Sequence, residues 1–164
     1  RLLLRHEGGW VNNARDPGGM TNLGVTKKTW ENFVGHVVSE TEMRNLTPAA
    51  VAPLYKKNYW DAGHCDDLPA GVDYCVFDAC VNSGPSKAIQ LLQDAVGSPI
   101  DGVFGARTLA AANAVPARTI ITNYTTARLD FMHRLPTWNT FGRGWQKRVE
   151  EVEQAALGFI HGSD

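Results

Sequence analysis

The chain has 164 residues, of which 43% are hydrophobic, and a formal net charge of −1. This length allows one domain with a substantial core, and the near-neutral charge gives no support for a nucleic-acid-binding protein. No apolar run approaches the ~18 residues that a membrane-spanning helix needs. The odd number of cysteines predicts either buried free thiols or one disulfide. These are Cys65, Cys75 and Cys80.

The N-terminal part is predicted to hold what little β structure the chain has. Residues 1–7 should form a helical turn or two that ends at Gly8-Gly9, because successive glycines disfavour a helix. Residues 8–25 are rich in Gly and Asn and predict an irregular β-hairpin or loop. Thr26 is then expected to N-cap a helix over residues 27–34, which Gly35 closes.

The rest of the chain is predicted to be helical, which makes the fold class mainly α, or α+β when the small hairpin is counted. Thr41 should open a short helix at 42–45, and Thr47-Pro48 begins one that runs to about Trp60. Asp61 to Gly71 is a loop. Further helices are expected from Val72 to the stop at Asn82-Ser83-Gly84-Pro85, over 86–96 and 106–114, from Pro116 to Leu135, and over 143–160.

The helix that begins at Val72 carries a wide apolar stripe at helical spacing. Asp78 lies inside this helix, and a buried carboxylate needs a partner, which Arg128 or Arg148 could supply. The next helix is expected to turn Ile89, Leu92 and Ala95/Val96 inward. The stripe consists of Val72, Cys75, Val76, Ala79 and Cys80.

Two carboxylates near the N-terminus are candidates for acid–base chemistry. Glu7 precedes two glycines, and Asp16 follows it by nine positions in a turn sequence, Asp-Pro-Gly-Gly. A helix C-terminus disfavours a carboxylate and so raises its pKa, which suits a general acid. An acid that protonates a leaving oxygen and a base that handles water are what glycoside hydrolysis requires. The alternative for Asp16 is a turn-forming role alone.

Hydroxyl and amide groups nearby are candidates for orienting water or substrate. Thr21 and Thr26 flank Gly24, although Thr26 is also an expected helix cap. Asn22 is a candidate substrate contact, with shaping of the loop as the alternative. No cofactor is expected, and no metal, because His64-Cys65-Asp66-Asp67 lacks the ligand spacing of a zinc site.

Aromatic and amide side chains elsewhere are candidates for sugar binding, since the apolar faces of sugar rings lie on aromatic rings. Tyr55 and Trp60 belong to one predicted helix, and a core position is the alternative for both. Asn82 and Gln93 could hydrogen-bond acetamido groups or peptide stems. The full predicted set is Trp10, Asn22, Tyr55, Trp60, Asn82 and Gln93.

The N-terminal motif resembles the opening motif of glycoside hydrolase family 108, a family of N-acetylmuramidases that includes many phage endolysins. A looser likeness to phage-type lysozymes lies in the same residues. The resemblance implies a two-lobed lysozyme-like fold that hydrolyses the β-1,4 bond from N-acetylmuramic acid to N-acetylglucosamine, with Glu7 as the proton donor. The matching residues are Glu7, Gly8, Gly9, Trp10, Asn12, Asp16, Pro17, Gly18, Gly19, Thr21, Asn22, Gly24 and Thr26.

A second likeness lies in the C-terminal half. The element from Asp101-Gly102 to Thr108 resembles peptidoglycan-binding modules, over a segment of about 86–160. No flexible linker precedes it, so we expect one domain over 1–164, with a catalytic lobe at 1–70 and a helical lobe at 71–164. The implied partner is bacterial peptidoglycan. The protein is expected to act on it as a monomer, at the cell wall in the periplasm or outside the cell. No export route is visible.

Three other functions remain open at this point. A lytic transglycosylase needs one Glu and forms a 1,6-anhydro product, and Asp16 disfavours it. A non-catalytic wall-binding module is suggested by Asp101-Gly102, and the intact Glu7-Gly8-Gly9 speaks against it. A chitosanase-type hydrolase would act on unsubstituted polymer. Residues 116–149 carry six basic residues against Asp130 alone, which predicts either a face for an anionic polymer or a solvated helix face.

Overall fold

A computed structural model of the chain describes residues 3–5, 9–12 and 20–162. These residues form eight α-helices and one small antiparallel sheet. The chain divides into two compact units, residues 1–58 and 59–164. This boundary precedes the predicted one at 70/71, because Cys65 and Leu68 in the intervening loop pack in the core of the second unit. A single domain over 1–164 stays a prediction. No helix in the described ranges is long and apolar enough to cross a membrane.

The first unit contains the sheet and three helices. Its strands follow the order β1-β2-β3, each antiparallel to the next. A π-helical segment, Lys56–Asp61, follows the third helix along the chain, so the predicted helical extent to about Trp60 is correct. The elements are a 3-10 turn at Leu3–Arg5, β1 Val11–Asn12, β2 Met20–Asn22, β3 Val25–Thr26, α1 Lys27–Val34, α2 Glu40–Arg44 and α3 Pro48–Tyr55.

Hydroxyl caps set the starts of these helices. Oγ1 of Thr26 accepts from the Thr29 N–H at 3.1 Å, and Gly35 closes α1 in a left-handed conformation, both as predicted. Thr47 caps α3, also as predicted. The start of α2 was predicted wrongly. Ser39 is the cap, accepting from the Glu42 N–H at 3.1 Å, so Thr41 lies inside the helix.

In its described residues the second unit contains helices and loops and no strand. Its elements are a 3-10 turn at Cys65–Asp67, α4 Val72–Ser83, α5 Pro85–Val96, α6 Ala106–Ala114, α7 Ala117–His133 and α8 Trp138–Gly162. The last helix begins five residues before the predicted start at 143. The helix runs through Gly142 and Gly144, although glycine is unfavourable in a helix interior.

Helix α4 lies at the centre of this unit, in contact with α5, α7 and α8. Every residue of its predicted apolar stripe is buried, and so are the predicted inward residues of α5. The Tyr124 hydroxyl of α7 donates to the Ala88 carbonyl of α5 at 2.9 Å, which joins these two helices inside the core. The apolar periodicity therefore identified the buried face of both helices correctly.

Asp78 meets both of its predicted partners. Its Oδ2 lies 2.7 Å from Nη1 of Arg128, and Arg148 donates from Nε and Nη2 at 3.2 and 3.1 Å. Burial alone would raise the pKa of Asp78, but the two positive charges outweigh burial and hold that pKa below its usual value. Nε of Arg128 is buried without a hydrogen-bond partner among the described residues. The cluster therefore ties α4, α7 and α8 together through one carboxylate.

The three cysteines are free thiols inside the core. Burial raises the pKa of Cys75 and of Cys80 to about 12. Gly63 approaches two of the sulfurs closely, since a Cβ at this position would lie 2.7 Å from Sγ of Cys80 and 3.3 Å from Sγ of Cys65. The thiols thus fill the space that a side chain at residue 63 would occupy.

Candidate active site

The β2–β3 hairpin brings together the two predicted catalytic threonines. Leu23 and Gly24 form its two-residue turn with φ values of 53° and 78°, the signs of a type I′ turn. Thr21 lies directly opposite Thr26 in the ladder. Residues opposite each other in an antiparallel pair project from the same face of the sheet. One face of the hairpin therefore carries both hydroxyl groups.

The two hydroxyls differ in what they already bind. Oγ1 of Thr26 accepts from the Thr29 N–H and donates to the Thr29 hydroxyl at 2.9 Å, so its capping role is established by geometry. Thr21 is half-buried in the middle of β2, with β1 on its other side. Thr21 is consequently the hydroxyl better placed to orient water or substrate.

Two predicted substrate-binding residues hold the hairpin in place. Nδ2 of Asn22 donates to the carbonyls of Met43 and Arg44, at 2.9 and 3.2 Å, and so satisfies the C-terminal end of α2. The hydroxyl of Tyr55 donates to the Leu23 carbonyl in the hairpin turn at 2.6 Å. Asn22 and Tyr55 are 6% and 5% exposed. These contacts correspond to the alternatives that the sequence left open, which were shaping of the loop for Asn22 and a core position for Tyr55.

Trp10 lies next to β1 and is paired with a cation that the sequence did not point to. Cζ of Arg44 lies 4.9 Å from the centroid of the Trp10 ring, a cation–π contact. Arg44 is exposed and also pairs with Glu40 at 3.4 Å. The one feature of the sequence that could have identified Arg44 is its position in the last turn of α2. Trp10 and Arg44 together offer an aromatic surface beside a positive charge.

The two predicted catalytic carboxylates, Glu7 and Asp16, lie outside the described residues. Their roles as general acid and as second carboxylate stay predictions. The hairpin, Trp10 and Tyr55 are the parts of the predicted site in the first unit that the structure describes.

Trp60 and Gln93, predicted as substrate contacts, are engaged within the second unit. Nε1 of Trp60 donates to Asp66 at 2.8 Å, and its ring packs edge-on against Phe77. Gln93 is 1% exposed. Its Nε2 donates to Asp101, Val103 and Thr108, and its Oε1 accepts from the N–H groups of Asp101 and Gly102. The amide of Gln93 is therefore the anchor of the 101–108 element.

Asn82 differs from these residues because it is exposed at the end of α4. Its Oδ1 accepts from Nη2 of Arg128 at 3.2 Å, and Arg128 is itself fixed by Asp78. In the part of the chain that the structure describes, no acceptor meets Nδ2 of Asn82. The side chain is thus oriented from inside while one donor remains for a ligand such as an acetamido carbonyl.

His64 and its neighbours form no metal centre in the described ranges. No group of three or more His, Cys, Asp or Glu side chains there could hold an ion. The His64 ring stacks on Phe104 with centroids 4.5 Å apart, and Nδ1 lies 3.8 Å from Asp67. These contacts join the 3-10 turn to the loop before α6.

Comparison with known proteins places the chain in a family. The profile of Glycosyl hydrolase 108 matches residues 1–84. A solved structure, "Structure of Brucella abortus SagA", is 43% identical over 96% of this chain and 91% of its own, with a TM-score of 0.83. The chain belongs to glycosyl hydrolase family 108. A search of curated proteins found no match.

Membership makes the chain a glycoside hydrolase and bears out the resemblance seen in the sequence. The likeness to SagA spans nearly the whole chain, so it includes the helical second unit as well as the matched N-terminal residues. It confirms the predicted fold class, mainly α and lysozyme-like with a small N-terminal sheet. The residues that the family profile matches include Glu7, Asp16, Thr21 and Thr26.

Proposed function

We propose that this family 108 hydrolase cleaves the β-1,4 bond between N-acetylmuramic acid and N-acetylglucosamine in bacterial peptidoglycan. The observation that carries the proposal is the family match over residues 1–84. That stretch contains two carboxylates nine positions apart and the hairpin on which Thr21 and Thr26 share a face. These are the groups that acid-assisted hydrolysis of a sugar polymer needs.

In the proposed reaction Glu7 protonates the glycosidic oxygen as the bond to the anomeric carbon breaks. Asp16 takes a proton from the attacking water, or stabilises the positive charge that develops on the sugar. If Asp16 acts as the base on the opposite face of the ring, the two carboxyl groups stand about 6.5–9.5 Å apart and the product is inverted. Thr21 orients the water from the hairpin face.

Substrate recognition is assigned to Trp10, Arg44 and Asn82, whose side chains are at least partly exposed. Trp10 offers a ring face to a sugar, and Arg44 beside it offers a positive charge to a lactyl or peptide carboxylate. Asn82 offers Nδ2 to an acetamido group. Asn22 and Tyr55 act by supporting the backbone of the hairpin and of α2, and Gln93 by supporting the 101–108 element, through the hydrogen bonds that they already make. We propose that the protein binds and cleaves peptidoglycan as a monomer at the cell wall.

The test is clearance of permeabilised bacteria by Glu7→Gln, with Glu42→Gln as the matched control on an exposed carboxylate of α2. We expect a loss of about 10²–10⁴-fold for the first variant, because the proton donor is deleted while shape is kept. The control should match the unmodified chain. Retention of more than about a tenth of the activity by Glu7→Gln would remove Glu7 from the general-acid role.

Mass spectrometry of digested peptidoglycan separates the competing reactions. Hydrolysis at the proposed bond releases fragments that end in a reducing N-acetylmuramic acid. A 1,6-anhydro end would identify a lytic transglycosylase, and an undigested polymer with bound protein would identify a wall-binding module. Cleavage of unsubstituted glucosamine polymer alone would point to the chitosanase-type reaction.

A further inference from the structure

The first turns of α8 carry an aromatic surface that the fold leaves uncovered. The apolar stripe of this helix is buried at Val149, Val152 and Ala156. At helical spacing the same stripe continues towards the N-terminus as Trp145 and Trp138, which are only half-buried. Phe141, on the flank of the stripe, is 53% exposed. The interior-facing side of α8 thus extends past the helices that cover its C-terminal half.

These rings contact one another in a row. His133, at the end of α7, lies against Trp138 with centroids 3.8 Å apart. Trp138 and Trp145 are 6.2 Å apart, and Phe141 stacks on Trp145 at 5.9 Å. We call His133, Trp138, Phe141 and Trp145 the aromatic ledge. Because each ring contacts the next, the ledge is held in one arrangement before any ligand arrives.

Gly142 is the point at which the Trp138 ring of the ledge contacts the backbone of α8. A Cβ at residue 142 would lie 2.6 Å from the Trp138 indole, so the ring lies directly on the helix backbone. Glycine is unfavourable in a helix interior because it loses more backbone freedom than alanine. The absence of a side chain at residue 142 therefore allows the partly exposed Trp138 ring to lie against the helix backbone.

Charge along α8 and the preceding turn is divided. Residues 131–149 contain Arg134, Arg143, Lys147 and Arg148 and no Asp or Glu, whereas Glu150, Glu151 and Glu153 follow. Arg148 is paired with Asp78, and Lys147 lies 4.0 Å from Glu151, so Arg134 and Arg143 contribute most of the positive charge. The N-terminal end of a helix is also its positive end. An anionic ligand is therefore attracted to the end of α8 that carries the ledge and is repelled from the other end.

We propose that the aromatic ledge binds a glycan strand that bears carboxylates, through stacking of sugar rings and long-range attraction to the basic end of α8. This inference deepens the proposed function, on which it rests, by giving the substrate polymer a contact on the second unit. A lipid surface is the less suitable ligand. Membrane-binding aromatics project from a helix into the acyl boundary, while Trp138 lies against Gly142 and both Trp138 and Trp145 are half-buried.

The test is co-sedimentation of the full chain with purified peptidoglycan sacculi at 4 °C. Phe141→Ala and Trp145→Ala should each weaken binding about tenfold, equivalent to about 1.4 kcal/mol. Val37→Ala, which removes an apolar side chain of the first unit that is 82% exposed, is the control and should bind unchanged. Phe141→Ala should keep the melting temperature, since its ring is exposed. Binding equal to that of the unmodified chain in both ledge variants overturns the proposal.

A pair of glycine variants tests the geometry without removing an aromatic group. Gly142→Ala must displace the Trp138 ring and should weaken sacculus binding. Gly144→Ala has no atom within 4 Å of the added Cβ, and it should leave binding intact. Equal binding by the two variants would overturn the role of the seated ring. Binding of phosphatidylglycerol vesicles with the same dependence on Phe141, without sacculus binding, would reassign the ledge to a lipid surface.

Sedimentation and muropeptide release distinguish failure of the ledge proposal from failure of the proposed hydrolysis. If the chain sediments with sacculi in a Phe141-dependent manner but releases no muropeptide, the ledge proposal is supported and the proposed reaction is contradicted. If the chain releases muropeptides and its sedimentation is unchanged by substitution of Phe141 or Trp145, the proposed reaction is supported and the ledge proposal is contradicted.

Discussion

Asp78 and Arg128 form an ion pair of 2.7 Å in which the two side chains are 0% and 1% exposed. Arg148 joins the same carboxylate from a third helix. Two buried cations thus depend on one anion. Removal of a single partner from such a cluster leaves uncompensated charge inside the core, which costs far more than the loss of an exposed pair.

Asp78→Asn should lower the free energy of unfolding by about 3–5 kcal/mol, because the charges of Arg128 and Arg148 lose their counterion. Urea unfolding followed by circular dichroism measures the change. Glu151→Gln is the matched control, since its contact with Lys147 is 4.0 Å long and exposed. Its effect should stay below about 1 kcal/mol. Equal effects in the two variants would show that the buried cluster contributes no more than a surface pair.

The same carboxylate predicts a dependence of stability on pH. The pKa of Asp78 is lower in the folded chain than in the unfolded chain. Its stabilising contribution is therefore fully present above the unfolded pKa of about 3.9 and is lost as pH falls through the folded value. Unfolding experiments between pH 6 and pH 2.5 should show the difference between the unmodified chain and Asp78→Asn shrinking below about pH 4. A constant difference over that range would contradict the assignment.

Asp16→Asn should lower the rate of wall clearance strongly without unfolding the protein, because it removes the base that activates water. Its companion measurement is the anomer of the first product, recorded by NMR before mutarotation. Inversion is expected if Glu7 and Asp16 act from opposite faces of the sugar. A retained β-anomer would require a nucleophile instead of an activated water.

Gln93→Glu should destabilise the second unit by about 3 kcal/mol. The change replaces a donor that serves Asp101, Val103 and Thr108 and sets a carboxylate against Asp101. The Val103 N–H and the Gln93 amide already hold the pKa of Asp101 below its usual value. Gln146→Glu, on the exposed face of α8, is the control for thermal melting. Unchanged melting with weaker sacculus binding would instead support the predicted contact of Gln93 with substrate.

Truncation after residue 84 tests whether one fold includes both units. A fragment of residues 1–84 keeps α4 but loses α5, α7 and α8, against which α4 packs. The buried face of α4 would then be exposed as a large apolar patch, so we expect an insoluble or unfolded product. Light scattering and a thermal melt give the result. A soluble fragment that melts cooperatively and clears bacteria would show that the helical unit is separable from catalysis.

The sequence predicted those parts of the fold that depend on neighbouring residues. Thr26 and Gly35 marked both ends of α1, and the spacing from Val72 to Cys80 identified the buried face of α4. The start of α2 was missed because Ser39 and Thr41 are both good caps, and only the backbone conformation before Glu40 selects Ser39. The start of α8 was missed because the glycines there disfavour a helix in isolation.

Several candidate site residues proved harder to interpret, because their partners are far away in the chain. Asn22 and Tyr55 bond to carbonyls 21 and 32 positions away, and no local pattern signals such contacts. Gln93 was expected at a substrate for the same reason, since its partners in the 101–108 element become visible only after folding. Asp78, by contrast, was predicted to be buried, and a buried carboxylate requires a positively charged partner. Both arginines that pair with it were identified from the sequence.

The sulfurs around Gly63 also bear on where the protein can be made. They act as apolar atoms that fill the core, and the described fold contains no covalent link between them. Folding therefore needs no oxidant and no disulfide isomerase. The same native core can therefore form in a reducing and in an oxidising compartment.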